Sequence, residues 1–141
     1  MAKALRVVLS IATGLVVALV LVMAVEFLSA IVHPFPPDFD GSESALCEHV
    51  KRFPQWVLAV VSVAWAATTF VSCWLAKRMG NRGCGLTVGL LLLAAVLFNV
   101  TKLPYPIWFK GISAALQGAV LLAVLRSPNH TMKKGVVARP S

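Results

Sequence analysis

Acidic side chains are scarce: five Asp and Glu stand against thirteen Lys and Arg in 141 residues, and Glu26 alone of the five falls inside a long apolar run. Charge of either sign is also scarce, at 13% of the chain against 59% hydrophobic residues, which excludes an ordinary soluble domain. The three cysteines, Cys47, Cys73 and Cys84, form no C-x-x-C pair, so thiol-redox chemistry has no motif here. The H-E-x-x-H pattern of a zinc enzyme, a Walker-type or dinucleotide glycine loop and a Ser-centred nucleophile elbow are all missing. On these grounds no enzymatic activity, no cofactor and no metal is expected.

What the chain does have is four apolar runs. The first, 5–32, is interrupted only by Arg6 and Glu26; 56–76 and 84–101 hold no charge; 107–125 holds only Lys110. Each reaches or approaches the roughly 17–25 residues a helix needs to cross a bilayer. A membrane barrel would instead show alternating segments of about ten residues. The expected fold is therefore all-α: a polytopic membrane protein built as an antiparallel bundle of four transmembrane helices. The first run exceeds the roughly 7–15 apolar residues of a signal peptide and is expected to stay uncleaved.

The formal charge of +8 follows the loops, so the positive-inside rule accounts for it and a nucleic-acid partner is not needed. Lys3, Arg6, Lys77, Arg78, Arg82, Arg126, Lys133, Lys134 and Arg139 fall on one side. The other side has Lys51, Arg52 and Lys102 with every acidic loop residue, Asp38, Asp40, Glu43 and Glu48. Both termini are thus expected in the cytoplasm, with 127–141 a basic, disordered tail. In the outer loop, 33–54, Pro34, Pro36 and Pro37 stop the first helix. A short interfacial helix is expected over 44–53, with Ser44 as N-cap and Lys51 and Arg52 complementing the dipole at its end.

Small residues recur at close-packing spacing: Gly14 and Ala18, Gly85 and Gly89, Ala114 and Gly118. They serve either internal packing or contact with a second copy or another membrane protein; beyond these, the partner is the lipid bilayer. Polar residues also share helix faces: Glu26, Ser29 and His33 on the first span, Asn99 and Lys102 on the third, Lys110, Ser113 and Gln117 on the fourth. Intramembrane polar groups turn toward one another or toward a cavity. The expectation is a polar pocket in the outer half with Glu26 facing Lys110 or Lys102, acting as a structural ion pair, a ligand or ion pocket, or a proton-transfer site. From Arg6 to Glu26 is twenty residues, about 30 Å of helix, which sets Glu26 near the outer boundary. His33 and His49 with Asp38 and Asp40 supply metal-ligand types without metal-site spacing.

The segment from Ala24 to Ser29, followed by His33-Pro34-Phe35-Pro36-Pro37 and Asp40, resembles a group of small bacterial four-span inner-membrane proteins of uncharacterised function. Pro104-Tyr105-Pro106-Ile107-Trp108-Phe109 extends the likeness to the fourth span. The resemblance implies membrane location and a four-helix architecture and brings no activity. Small multidrug transporters are an analogy, with four spans and a glutamate in the first. The leading expectation is a non-enzymatic accessory or envelope component of the inner (plasma) membrane. The alternative is a transporter of a small solute or ion working through the cluster around Glu26.

Overall fold

Each apolar run becomes one helix in a computed structural model that describes residues 2–128. The chain runs through α1 (Ala2–Val32), α2 (Glu43–Lys51), α3 (Gln55–Met79), α4 (Arg82–Lys102) and α5 (Ile107–Arg126), with no strand among the described residues. Apart from α2, each helix is long and apolar enough to cross a membrane, with mean hydropathy between 1.6 and 2.8 over its most apolar window. The protein is a multi-pass, all-α membrane protein. All but the first two residues of the tail expected to be disordered lie outside the described residues.

Two boundaries differ from expectation, each for a local reason. The stretch left between the second and third apolar runs, 77–83, contracts to a turn at Gly80 and Asn81, because α3 continues through Lys77 and Arg78 and α4 already starts at Arg82. Asn81 caps α4, its side-chain oxygen accepting from the Cys84 N–H at 3.1 Å. The interfacial helix begins earlier than 44 because Ser42, not Ser44, is the cap, accepting from the Ala45 N–H at 3.2 Å. It ends at Lys51 because the chain reverses there: the Arg52 N–H donates to the His49 carbonyl at 3.1 Å and the Phe53 N–H to that of Val50 at 3.2 Å.

Helix α3 is the wall the others share. It packs on α1, α4 and α5; α4 also touches α1 and α5, while α1 and α5 do not meet. The buried face of α3 carries Ser62, Ala66, Thr69, Ser72, Cys73 and Ala76, and α1 answers with Ser10, Gly14 and Ala18 at four-residue spacing. A Cβ on Gly14 would stand 3.0 Å from the Ala76 Cβ and 3.1 Å from the Ser72 carbonyl oxygen. On Gly85 it would stand 2.8 Å from the Cys73 carbonyl oxygen, and on Gly89 it would collide with Leu121 and the Cys73 sulfur. Gly85 and Gly89 therefore face α3 and α5 inside the chain and do not form an exposed seam. Gly118 differs: nothing lies within 4 Å of its Cβ direction. The buried face of α5 follows Phe109, Ser113, Gln117, Leu121 and Val124. Gly118 sits one helical step off that line, and Ala114 is half-buried beside it.

Basic side chains bind the helices at one end of the bundle. Arg6 Nε donates to the Met79 carbonyl at 2.7 Å. Lys77 Nζ donates to the carbonyls of Val124 at 3.2 Å and Ser127 at 2.5 Å, and to the Ser127 hydroxyl at 2.7 Å. These carbonyls have no intrahelical partner, so the contacts act as C-terminal caps. They also place the start of α1 and the end of α5 at the same end.

Gly85→Ala should lower the thermal unfolding midpoint in detergent by the equivalent of about 1–3 kcal/mol, since the added methyl meets backbone that must move. Gly118→Ala should leave the midpoint unchanged or raise it, gaining up to about 1 kcal/mol of helix propensity at an open position. Equal midpoints for the two variants would contradict the packing described.

Candidate functional site

At the end of the bundle opposite those caps the chain builds a polar recess. The His33 N–H donates to the Ser29 carbonyl at 2.8 Å, extending the last turn of α1 by one residue before Pro34, Pro36 and Pro37 forbid more helix. The chain turns where the Phe39 N–H donates to the Pro36 carbonyl at 3.0 Å, and turns again at Gly41, whose φ of +75° suits a residue without Cβ. Between them Asp40 accepts from the Ser42 N–H at 2.8 Å. Hydrogen bonds from Ser42 hold the Asp40 carboxyl below its ordinary range.

These turns fold α2 back over the end of α1, and aromatic rings make the join. His49 stacks on His33, with centroids 4.5 Å apart and planes 23° apart, and on Phe35, at 4.3 Å and 24°. Phe53 closes on His33 at 4.6 Å and meets His49 edge-on at 5.2 Å, while Phe39 lies 4.3 Å from Phe35. The backbone of α2 approaches none of the long helices, so side chains attach it: this stack, together with Val50, which is 4% exposed.

Beside the rings is a recess of about 260 Å³, lined by His33, Asp38, Phe39, Glu48, His49 and Arg52 among others. Glu48 and Arg52 pair across one turn of α2 at 3.2 Å, both largely exposed, which contributes little to stability. His49 is only 6% exposed. Burial disfavours its protonated form, and the charges of His33 and Arg52 push the same way, so its pKa lies below the ordinary histidine value. Among the described residues no group of three His, Cys, Asp or Glu side chains converges to hold a metal ion. Concave, with convergent polar groups and a perturbed histidine, the recess is the candidate functional site.

The other residues singled out from the sequence do not converge on this recess or on one another as a single site. Ser29 is buried between α1 and α3, lining a groove of about 90 Å³ with Trp56 and Val57. Ser113 meets Ser62 of α3 at 3.2 Å between hydroxyls, and Ser62 also donates to the Leu58 carbonyl at 3.1 Å. Gln117, one turn further along α5, is 1% exposed, and its Oε1 has no hydrogen-bond partner. Asn99 Oδ1 and Trp108 Nε1 are likewise buried without partners. Glu26 is exposed on α1, close enough to Tyr105 for its charge to act on the phenol.

The expected pairing of Glu26 with Lys102 or Lys110 does not form. Among the described residues the only ion pair is Glu48–Arg52. Lys110 is carried by α5, which α1 does not touch, and Lys102 turns outward over the Phe98 ring, 5.7 Å from its centroid. Sequence reasoning also missed the ring stack. Its signal was present in two aromatic pairs at four-residue spacing, Phe35 with Phe39 and His49 with Phe53, hidden within a loop read mainly for its prolines. No family model, curated protein or solved structure matches this chain.

Gln117→Met, which removes a buried unpartnered amide at similar volume, should leave the unfolding midpoint unchanged or raise it; a clear fall would show that the amide is bonded. The single tyrosine offers an independent check. Tyr105 is pushed up to about 12, first by burial and then by the Glu26 charge. Its phenolate absorbance should rise only near that pH, and Glu26→Gln should move the rise to lower pH. An unmoved titration would separate the two groups.

Proposed function

We propose that this chain is a non-enzymatic protein of the bacterial inner membrane, an accessory or envelope component. Its working surface is the recess under α2, and its termini both lie in the cytoplasm. The observation that carries the reading is the closure of the bundle on both sides of its middle. Toward the capped end, Gly14 against Ala76 and Val88, and Gly89 against Leu121 and Cys73, leave no room for a side chain between the helices. A transporter needs water-accessible space near the bilayer midplane that opens to each side in turn. Here the polar groups further along α3 and α5, Ser62, Ser113 and Gln117, are each about 1% exposed. The recess, by contrast, lies at the surface.

Orientation follows from charge. The end of the bundle where α1 starts, α3 turns into α4 and α5 ends carries Lys3, Arg6, Lys77, Arg78, Arg82 and Arg126. The positive-inside rule places that end in the cytoplasm and the recess on the outer side. The likeness of the Ala24-to-Asp40 segment to small bacterial four-span proteins supports the same membrane.

Thiol labelling tests both parts. A membrane-impermeant maleimide added to spheroplasts should modify Cys47 without lysis. Ser113→Cys and Gln117→Cys should resist it from either side in the native protein. Labelling at 113 or 117 would favour a transporter, and labelling of Cys47 only after lysis would reverse the orientation.

A further inference from the structure

We propose that the docking of α2 on the end of α1 is an acid-released latch, closed while His33 and His49 carry at most one proton between them and opened by the second. This concerns regulation of the recess described above. It rests on that reading for its biological use, but not for its physics.

The attachment has an unusual composition. Stacked rings join α2 to the end of α1, and two of those rings are histidines, the side chain whose ordinary pKa lies nearest neutrality. Imidazoles whose centroids are 4.5 Å apart and nearly parallel cannot both become cations without strong repulsion. His33 Nε2 is enclosed and has no partner, so a proton placed there meets no acceptor. Phe35 and Phe53, which complete the stack, present ring faces and edges and no lone pair.

The charged groups around the pair set how many protons it holds. Asp38 comes from the loop, and Glu48 and Arg52 from α2 itself. Glu48 pairs with Arg52 at the exposed rim, and the charges that act on His49 are those of His33 and Arg52, both positive when present. A second proton on the imidazole pair therefore places two cations in one stack beside the Arg52 guanidinium.

The direction in pH follows. Released from the stack, His49 returns toward the ordinary histidine value of about 6.5. Well above that value its ring is neutral in docked and released states alike, and docking is unaffected. Below it the released state binds more protons than the docked one, so docking weakens by up to about tenfold per pH unit for each additional proton. Release exposes the ring faces of Phe35 and Phe53 and opens the recess.

Hydrogen–deuterium exchange on the full chain in lipid nanodiscs, corrected for the intrinsic pH dependence of exchange, tests the latch. Between about pH 7.5 and about pH 5, protection across α2 should fall at least about tenfold while that of α3 stays constant. His33→Phe/His49→Phe keeps planar rings in place and removes the titration, so its α2 protection should be flat. Should the double variant fail to fold, His49→Phe alone should show a shallower pH response than the wild type. A flat wild-type profile overturns the proposal, as does a His49→Phe profile that parallels the wild type. Thiol accessibility at 113 and 117 reads the sealed bundle and not α2, so the two proposals fail separately.

Discussion

Lipid tails solvate an apolar helix about as well as another helix does, so helices in a bilayer stay together only by approaching more closely than lipid allows. Everything else in this protein depends on α3 meeting that condition toward α1 and α4. From Ala66 to Ala76 its inward residues are alanine, threonine, serine and cysteine, and the neighbouring positions on α1 and α4 are mostly glycine or comparably small. Side chains of that size let dispersion and weak carbonyl contacts act backbone to backbone. Because both α1 and α5 lean on α3, neither needs the other, and the bundle is organised around one helix and not around a central axis.

The rule changes along the length of α3. Toward the capped end the core is Cys73, Ala76, Cys84, Val88 and Val124; toward the recess it becomes Leu58, Trp65, Val100 and Phe109, with Tyr105 and Trp108 packed against them. Larger side chains hold helices further apart, and the freed space is filled by aromatic rings in tilted and edge-on contact, as where Trp65 meets Phe109 at 5.6 Å. The same chemistry continues past the helix ends into the stack that holds α2. The two ends thus differ in packing: one is close and built of small residues, and the other is aromatic and continues into a surface recess.

Architecture was legible in the chain because hydrophobic length and loop charge act over whole segments. Four runs of about the right length leave few alternatives, and Pro34, Pro54 and Pro106 mark ends that no tertiary contact could shift. Pairing between helices was not legible. Periodicity placed Glu26 on the same face as Ser29, but which helix that face meets depends on α3 standing between α1 and α5, and no local pattern encodes that. The same limit applies to small residues: Gly89 and Gly118 look alike in sequence, yet one lies in a contact and the other in open space. The ring stack was obscured for a different reason. Its members come from three segments, and the pairing of His33 with His49 exists only once the Gly41 turn brings α2 back.

Lys77 shows how two readings of one charge coincide. As a cation beside a membrane span it counts toward the orientation of the whole protein, and as a donor to the carbonyls of Val124 and Ser127 it fastens the last turn of α5 to α3. Arg6 does the same for the end of α3. Orientation and folding are therefore coupled through the same atoms. A helix pair inserted the wrong way round would carry these ammonium and guanidinium groups across the bilayer along with the carbonyls they satisfy. One ammonium group thus ties two helix ends together, and the clamp on α5 exists only where its end and that of α3 lie side by side.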